Sequence, residues 1–119
     1  MQSVIPQLRM TNAERTQAFY LEQLGFNVDW QHQFEPGLPL FLQISRAGQT
    51  IFLTGHAGDC QPGGAVYFWV PDADACYTAF TSKGVQPTKA IEDMPWGVRE
   101  FLLTDPDGNH LRFGTHLTP

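Results

Sequence analysis

"PWGVREFLLTDPDGNHLRF", residues 95–113, is the stretch whose reading decides the fold. Asp105-Pro106-Asp107-Gly108 has the composition of a tight turn: proline presets one dihedral, and glycine takes the positive one that closes it. The runs on either side, 98–103 and 109–113, are rich in branched and aromatic residues, so the whole reads as a strand, a turn and a strand. Just ahead stands Pro95-Trp96-Gly97, a tryptophan between two chain breakers. A large ring held in a loop needs something to touch.

Working outward, this hairpin closes the second of two similar units. Residues 65–70 read as a strand, and Asp72 caps a helix whose Ala73, Cys76, Tyr77 and Phe80 form one apolar stripe. Gly84 ends that helix, and strands follow at 85–91, 98–103 and 109–115. The first unit has the same order: a strand at 3–9, then Thr11-Asn12-Ala13-Glu14 in the form of a capping box. A helix bearing Phe19, Tyr20 and Leu24 follows and stops at Gly25. Strands are expected at 26–34, 40–45 and 50–54. The chain is therefore α+β, βαβββ twice: one domain over 1–119, with modules at 1–60 and 65–119 and a linker at 61–64. Each module is too small to close a core alone, so the two should pair and leave a groove walled by strands.

Totals narrow the function classes. The 119 residues suffice for one domain with a real core. Seven basic against twelve acidic side chains leave a net charge of −5 without any basic cluster, which removes the source of phosphate contacts and excludes nucleic acid as a partner. No apolar run approaches membrane-spanning length, so no membrane partner is expected. The first seven residues lack the charged and apolar regions of a secretion signal, and Cys60 and Cys76 make no disulfide framework. The expected setting is reducing and cytoplasmic. Phe19, Phe80, Phe101, Leu111 and Phe113 are read as core.

"FYLEQLGF" after the first helix cap, "VYFWV" opening the second unit and "DPDGNHLRF" near the end together resemble the vicinal oxygen chelate superfamily of glyoxalases, dioxygenases and bleomycin resistance proteins. The order and spacing of the motifs cover essentially the whole chain, and "PWGVREFLLTDPDGNHLRF" is similar to the bleomycin-resistance branch. The resemblance implies the paired-module fold and a homodimer, often with the first strand exchanged and the cleft between subunits. It also allows a test for catalysis. The family's enzymes hold a divalent metal on four strand positions, which carry over to Ile5, Phe52, Ala65 and Arg112. Three of these lack a lone pair and the fourth is a guanidinium, so no metal and no cofactor is expected. His32, His56, His110 and His116 are scattered without ligand spacing.

In the resistance proteins the Pro-Trp-Gly stretch supplies one wall of a drug cleft, and a loop after the second strand supplies the other. The resemblance assigns those walls to Trp96 and to Trp30 and Phe34. Tyr67 and Trp69, alternate residues of one strand, add rings, or else pack between modules. Asp29 and its acidic neighbours would draw a cationic tail, and Phe52 and Arg112 occupy the cavity in place of metal ligands. Arg112 could equally bridge Glu100 across the sheet. The expected function is non-catalytic sequestration of a cationic, planar-aromatic antibiotic of the bleomycin type. The alternatives are an enzyme of this fold, metal-free or with an atypical metal, acting on a small carbonyl or aromatic substrate, and a general module for cationic small molecules.

Overall fold

The structure, a computed structural model, describes residues 2–118. Eight strands form two four-stranded sheets of identical topology. In the first sheet β1 (Gln7–Arg9), β2 (Asn27–His32), β3 (Phe41–Arg46) and β4 (Gln49–Thr54) lie in the order β1-β4-β3-β2. In the second, β5 (Ala65–Trp69), β6 (Lys89–Asp93), β7 (Val98–Thr104) and β8 (His110–His116) repeat it as β5-β8-β7-β6. The first strand of each unit pairs parallel to its last, β1 with β4 and β5 with β8. β1 makes this pairing within its own chain. The duplicated βαβββ order and the paired-module architecture expected from the sequence are thus both present.

Each unit carries one helix. α1 (Ala13–Gln17) continues without a break into a π-helical segment, Ala18–Gln23, and α2 spans Ala73–Ser82. The helices end at Gly25 and Gly84, where Phe26 N donates to Tyr20 O (2.9 Å) and Val85 N donates to Phe80 O (3.2 Å). α2 is capped by Asp72, whose carboxylate accepts from Ala75 N at 3.1 Å. The cap of α1 is one residue later than expected: Asn12 Oδ1, not Thr11, accepts from Arg15 N at 3.0 Å. Thr11 is turned instead toward Asp107, to which its N and Oγ1 donate at 2.7 and 2.6 Å.

Strand edges also differ from the sequence reading, and prolines explain the two largest shifts. β1 begins at Gln7 because Pro6 has no N–H for the ladder, although its carbonyl still accepts from Phe52 N. Pairing on the sixth strand starts only after Pro87, where Thr88 N donates to Leu102 O. β2 stops at His32, so Phe34 lies beyond it. No helix among the described residues is long and apolar enough to cross a membrane.

The core lies on the helix side of both sheets. Leu42, Ile44, Ile51 and Leu53 are fully buried in the first, and Phe101, Leu111 and Phe113 in the second. Phe19, Cys76 and Phe80 join them from the helices. The two halves meet through rings: Phe26 packs edge-on against Phe68, which stacks on Phe113 at 4.6 Å. Strand alternation then turns the other face of each sheet outward, and the polar and aromatic residues of interest stand there.

Candidate functional site

Register defines the outward face of the second sheet. Tyr67 pairs with Arg112, Arg112 with Leu102, and Leu102 with Lys89. Residues directly opposed across a ladder share a face, so these four form one row. Trp69, Gly114, Glu100 and Glu92 form the next row. A cavity of about 250 Å³ opens over them, lined by Tyr67, Lys89, Met94, Trp96, Glu100 and Arg112 among others.

Glu100 is the anchor of this cavity. Its side chain is only 7% exposed, and a buried carboxylate requires partners. Tyr67 Oη donates to Oε1 at 3.0 Å, and Arg112 Nε lies 3.4 Å from Oε2. Burial, with the Glu100 hydrogen bond second, pushes the Tyr67 phenol up to about 12. Arg112 therefore does both things the sequence left open: it bridges Glu100, and it lines the cavity with 38% of its side chain exposed.

Trp96 forms the rim. Gly97 N donates to Met94 O at 3.0 Å and Met94 N donates to Val98 O at 2.7 Å, closing the β6–β7 hairpin. Gly97 takes φ +89°, which a residue with a Cβ adopts only with strain. Pro95 and Trp96 are left at the tip, and Trp96 is 68% exposed. Trp69 lies farther along the face, 4.9 Å from Tyr67 and stacked on His116 at 4.1 Å.

The first sheet repeats the layout with different chemistry. Gln7, Phe52, Gln43 and Trp30 form one row, and Arg9, Thr54, Phe41 and His32 the next. A bulge after Val28 turns the consecutive residues Asp29 and Trp30 to the same side. Trp30 stacks on Phe41 at 5.8 Å and tilts against Phe52 at 5.9 Å. Asp29 accepts from Gln43 Nε2 (3.1 Å) and Ser45 Oγ (2.8 Å), so its carboxylate is tied to β3. A second cavity, about 370 Å³, is lined by Trp30, His32, Phe34, Phe41, His56 and Asp59.

The predicted residues are thus gathered into two groups rather than one. Tyr67, Trp96 and Arg112 share the first cavity, Trp30 and Phe34 share the second, and the two linings have no residue in common. Phe52 supports Trp30 without lining either. Sequence reading missed Phe41, Lys89 and Gly114, and it took His32 and His56 as plain surface residues. Period-two alternation from Gln43 and Arg112 would have pointed to Phe41 and Gly114.

Of the four positions to which the resemblance carries the superfamily's metal ligands, Phe52 lies in β4 opposite Gln7, Arg112 lies in β8 opposite Tyr67, Ala65 opens β5 opposite His110, and Ile5 precedes β1. The set is two aliphatic side chains, one aromatic ring and one guanidinium. Glu100, the nearby carboxylate, already accepts from Tyr67 Oη and is ion-paired with Arg112. These residues do not fit a divalent metal, and the described residues contain no group of three or more His, Cys, Asp or Glu that could hold one.

A family model described as glyoxalase superfamily protein matches residues 1–118. Among solved structures, the chain is similar to a bleomycin-binding protein crystallised with bleomycin, at 25% identity and TM-score 0.78 over 98% of this chain and 99% of that one. A glyoxalase/bleomycin resistance protein/dioxygenase superfamily member from Sphaerobacter thermophilus is 26% identical, with TM-score 0.73 over 98% and 99%. A bleomycin resistance determinant encoded on the transposon Tn5 shares the fold at 24% identity and TM-score 0.80, over 99% and 100%. No curated protein shows significant sequence similarity to the chain.

Proposed function

The chain belongs to the glyoxalase superfamily, and from that premise we propose that it binds and sequesters a cationic, planar-aromatic antibiotic of the bleomycin type without transforming it. One observation carries this reading. The outward faces of both sheets and the loops at their edges present large, uncovered rings: Trp30, Phe34, Tyr67, Trp69 and Trp96 are all exposed. Rings fixed by a turn, a bulge and cross-strand stacking are preorganised to take a flat ligand between them. Chemistry has less support, because the four positions to which the resemblance carries the superfamily's metal ligands hold Ile5, Phe52, Ala65 and Arg112. The similarity to a protein crystallised with bleomycin points the same way.

The two ring groups sit on different modules of one chain. Pairing of two copies, as the resemblance implies, would let the Trp96 cavity of one face the Trp30 cavity of the other. The net charge of −5 would speed capture of a cationic drug more than it would tighten binding. Asp59, on the lining of the Trp30 cavity, is the acidic group best placed to receive the cationic tail.

All three tryptophans of the sequence are among these exposed rings, so intrinsic fluorescence reports on the proposed site directly. Titration with bleomycin is expected to give a saturable change in emission at micromolar drug. A sensitive bacterium expressing the gene should survive higher drug concentrations than its parent. Absence of both effects overturns the reading.

A further inference from the structure

We propose that Arg112 sets the ligand specificity of the Trp96 cavity by donating to a trigonal oxygen, of a carboxylate or an amide carbonyl, conjugated to the ring of the bound molecule. This rests on the ring-binding reading above and adds the chemical group that the ring must carry. A guanidinium has five N–H donors. Arg112 spends its Nε on Glu100, and neither of its terminal nitrogens makes a hydrogen bond to any described residue. The ion pair with Glu100 keeps the guanidinium at the cavity and leaves the planar pair of terminal nitrogens for a ligand.

The charge around the fork has the sign an oxygen acceptor needs. Lys89 stands two strands away in the same row, lines the same cavity and has no ion-pair partner among the described residues. Glu100 is nearly buried beneath them, and Arg112 offsets its charge. The cavity is therefore locally basic on a chain of net charge −5. A cationic end of the ligand would be repelled here and belongs in the Trp30 cavity with Asp59.

Selectivity follows from what a ring does when it enters. Stacked against Trp96 and Tyr67, it strips water from the outer N–H groups of Arg112. A ring that carries an acceptor replaces that water, whereas a bare ring leaves charged donors unsatisfied. The site both attracts the right ligand and penalises the wrong one.

Three probes that share a phenylthiazole core test this: the ring carboxylate, its carboxamide and the unsubstituted ring, each titrated by tryptophan fluorescence. The expected order of affinity is carboxylate, carboxamide, bare ring, with about tenfold between first and last at low salt. The carboxylate's advantage should shrink as salt rises. Removing Arg112 outright would strand Glu100 and risk the fold, so Arg112→Lys is the informative variant: it keeps a cation beside Glu100 and gives up the fork. The carboxylate's advantage should fall severalfold in it. A bare ring that binds as tightly as the carboxylate overturns this inference and leaves the ring-binding reading standing, and so does an undiminished preference in Arg112→Lys. Failure of all three probes, with no response to bleomycin, overturns both.

Discussion

Tyr67 reaches Glu100 diagonally across Gly114. In the strand ladders Tyr67 stands opposite Arg112 and Glu100 opposite Gly114, yet Tyr67 Oη and Glu100 Oε1 are 3.0 Å apart. The hydrogen bond exists because the strand between them carries no side chain at that point. A Cβ built on Gly114 would collide with the Tyr67 hydroxyl and ring. Glycine inside a strand is costly unless something approaches closely, and here the approaching group is the residue that lines the cavity.

Gly114→Ala is therefore expected to displace Tyr67, free Oε1 of Glu100 and cost about 1–3 kcal/mol of stability. Urea denaturation measures the loss. The same substitution made in a Tyr67→Ala background should cost much less, because the colliding ring is gone. Equal costs in the two backgrounds would mean that the ring does not rest on Gly114.

The Tyr67 phenol ionises at about 12 instead of 10, with burial the larger cause and the Glu100 hydrogen bond the smaller. The neutral form is the one the fold favours. Its contribution to stability is fully present below pH 10 and is lost as pH rises through about 12. The stability difference between wild type and Tyr67→Phe should be flat up to pH 10 and shrink above it. The phenolate absorbance difference between the two proteins should have its midpoint near 12. A midpoint near 10 would mean that neither burial nor the Glu100 bond holds the phenol neutral.

Trp96 is exposed at a hairpin tip and contributes little to the core. Trp96→Ala should leave the melting temperature within a degree or two while weakening bleomycin binding by about tenfold, the loss of one stacking surface. Trp30→Ala should behave similarly toward ligand but cost somewhat more stability, since Trp30 also packs on Phe41 and Phe52. Unchanged affinity in both variants would remove the rings from the site.

How much of this was legible in the sequence depends on whether the signal is local. The doubled βαβββ order, the Asp105–Gly108 turn and the stops at Gly25 and Gly84 follow from neighbouring residues, and all appear where the sequence puts them. The exposed rings were readable too, because Trp96 between Pro95 and Gly97 has nowhere to hide. Register was not readable. Which residue stands opposite Phe52 or Arg112 depends on the alignment of parallel strands far apart in sequence, so Gln7 and Tyr67 as their partners emerge only from the structure. The bulge that turns Asp29 and Trp30 to one side is likewise a property of two strands together. For the same reason a cleft that looked single separates into two cavities.

The most underestimated residues were the two aspartates of the turn itself. Asp105 is buried, and its carboxylate accepts from Tyr20 Oη (2.6 Å), Asn109 Nδ2 (2.9 Å), Asn109 N (2.9 Å) and Asp107 N (2.8 Å). Asp107 in turn accepts from Thr11 and from Thr16 Oγ1. A turn of the second module thus holds the first helix of the first module, and Asn109 adds bonds to Arg9 O and from Gly64 N. Tyr20→Phe removes one donor and should cost about 2 kcal/mol, as befits a hydrogen bond to a charged acceptor. Asp105→Ala leaves four donors without their acceptor in a dry interior and should cost about 4 kcal/mol or more, a large share of the stability of a domain this size. Denaturant midpoints for the two variants decide the matter. If Asp105→Ala proves no worse than Tyr20→Phe, the turn is only a turn, and the modules are held together by their rings alone.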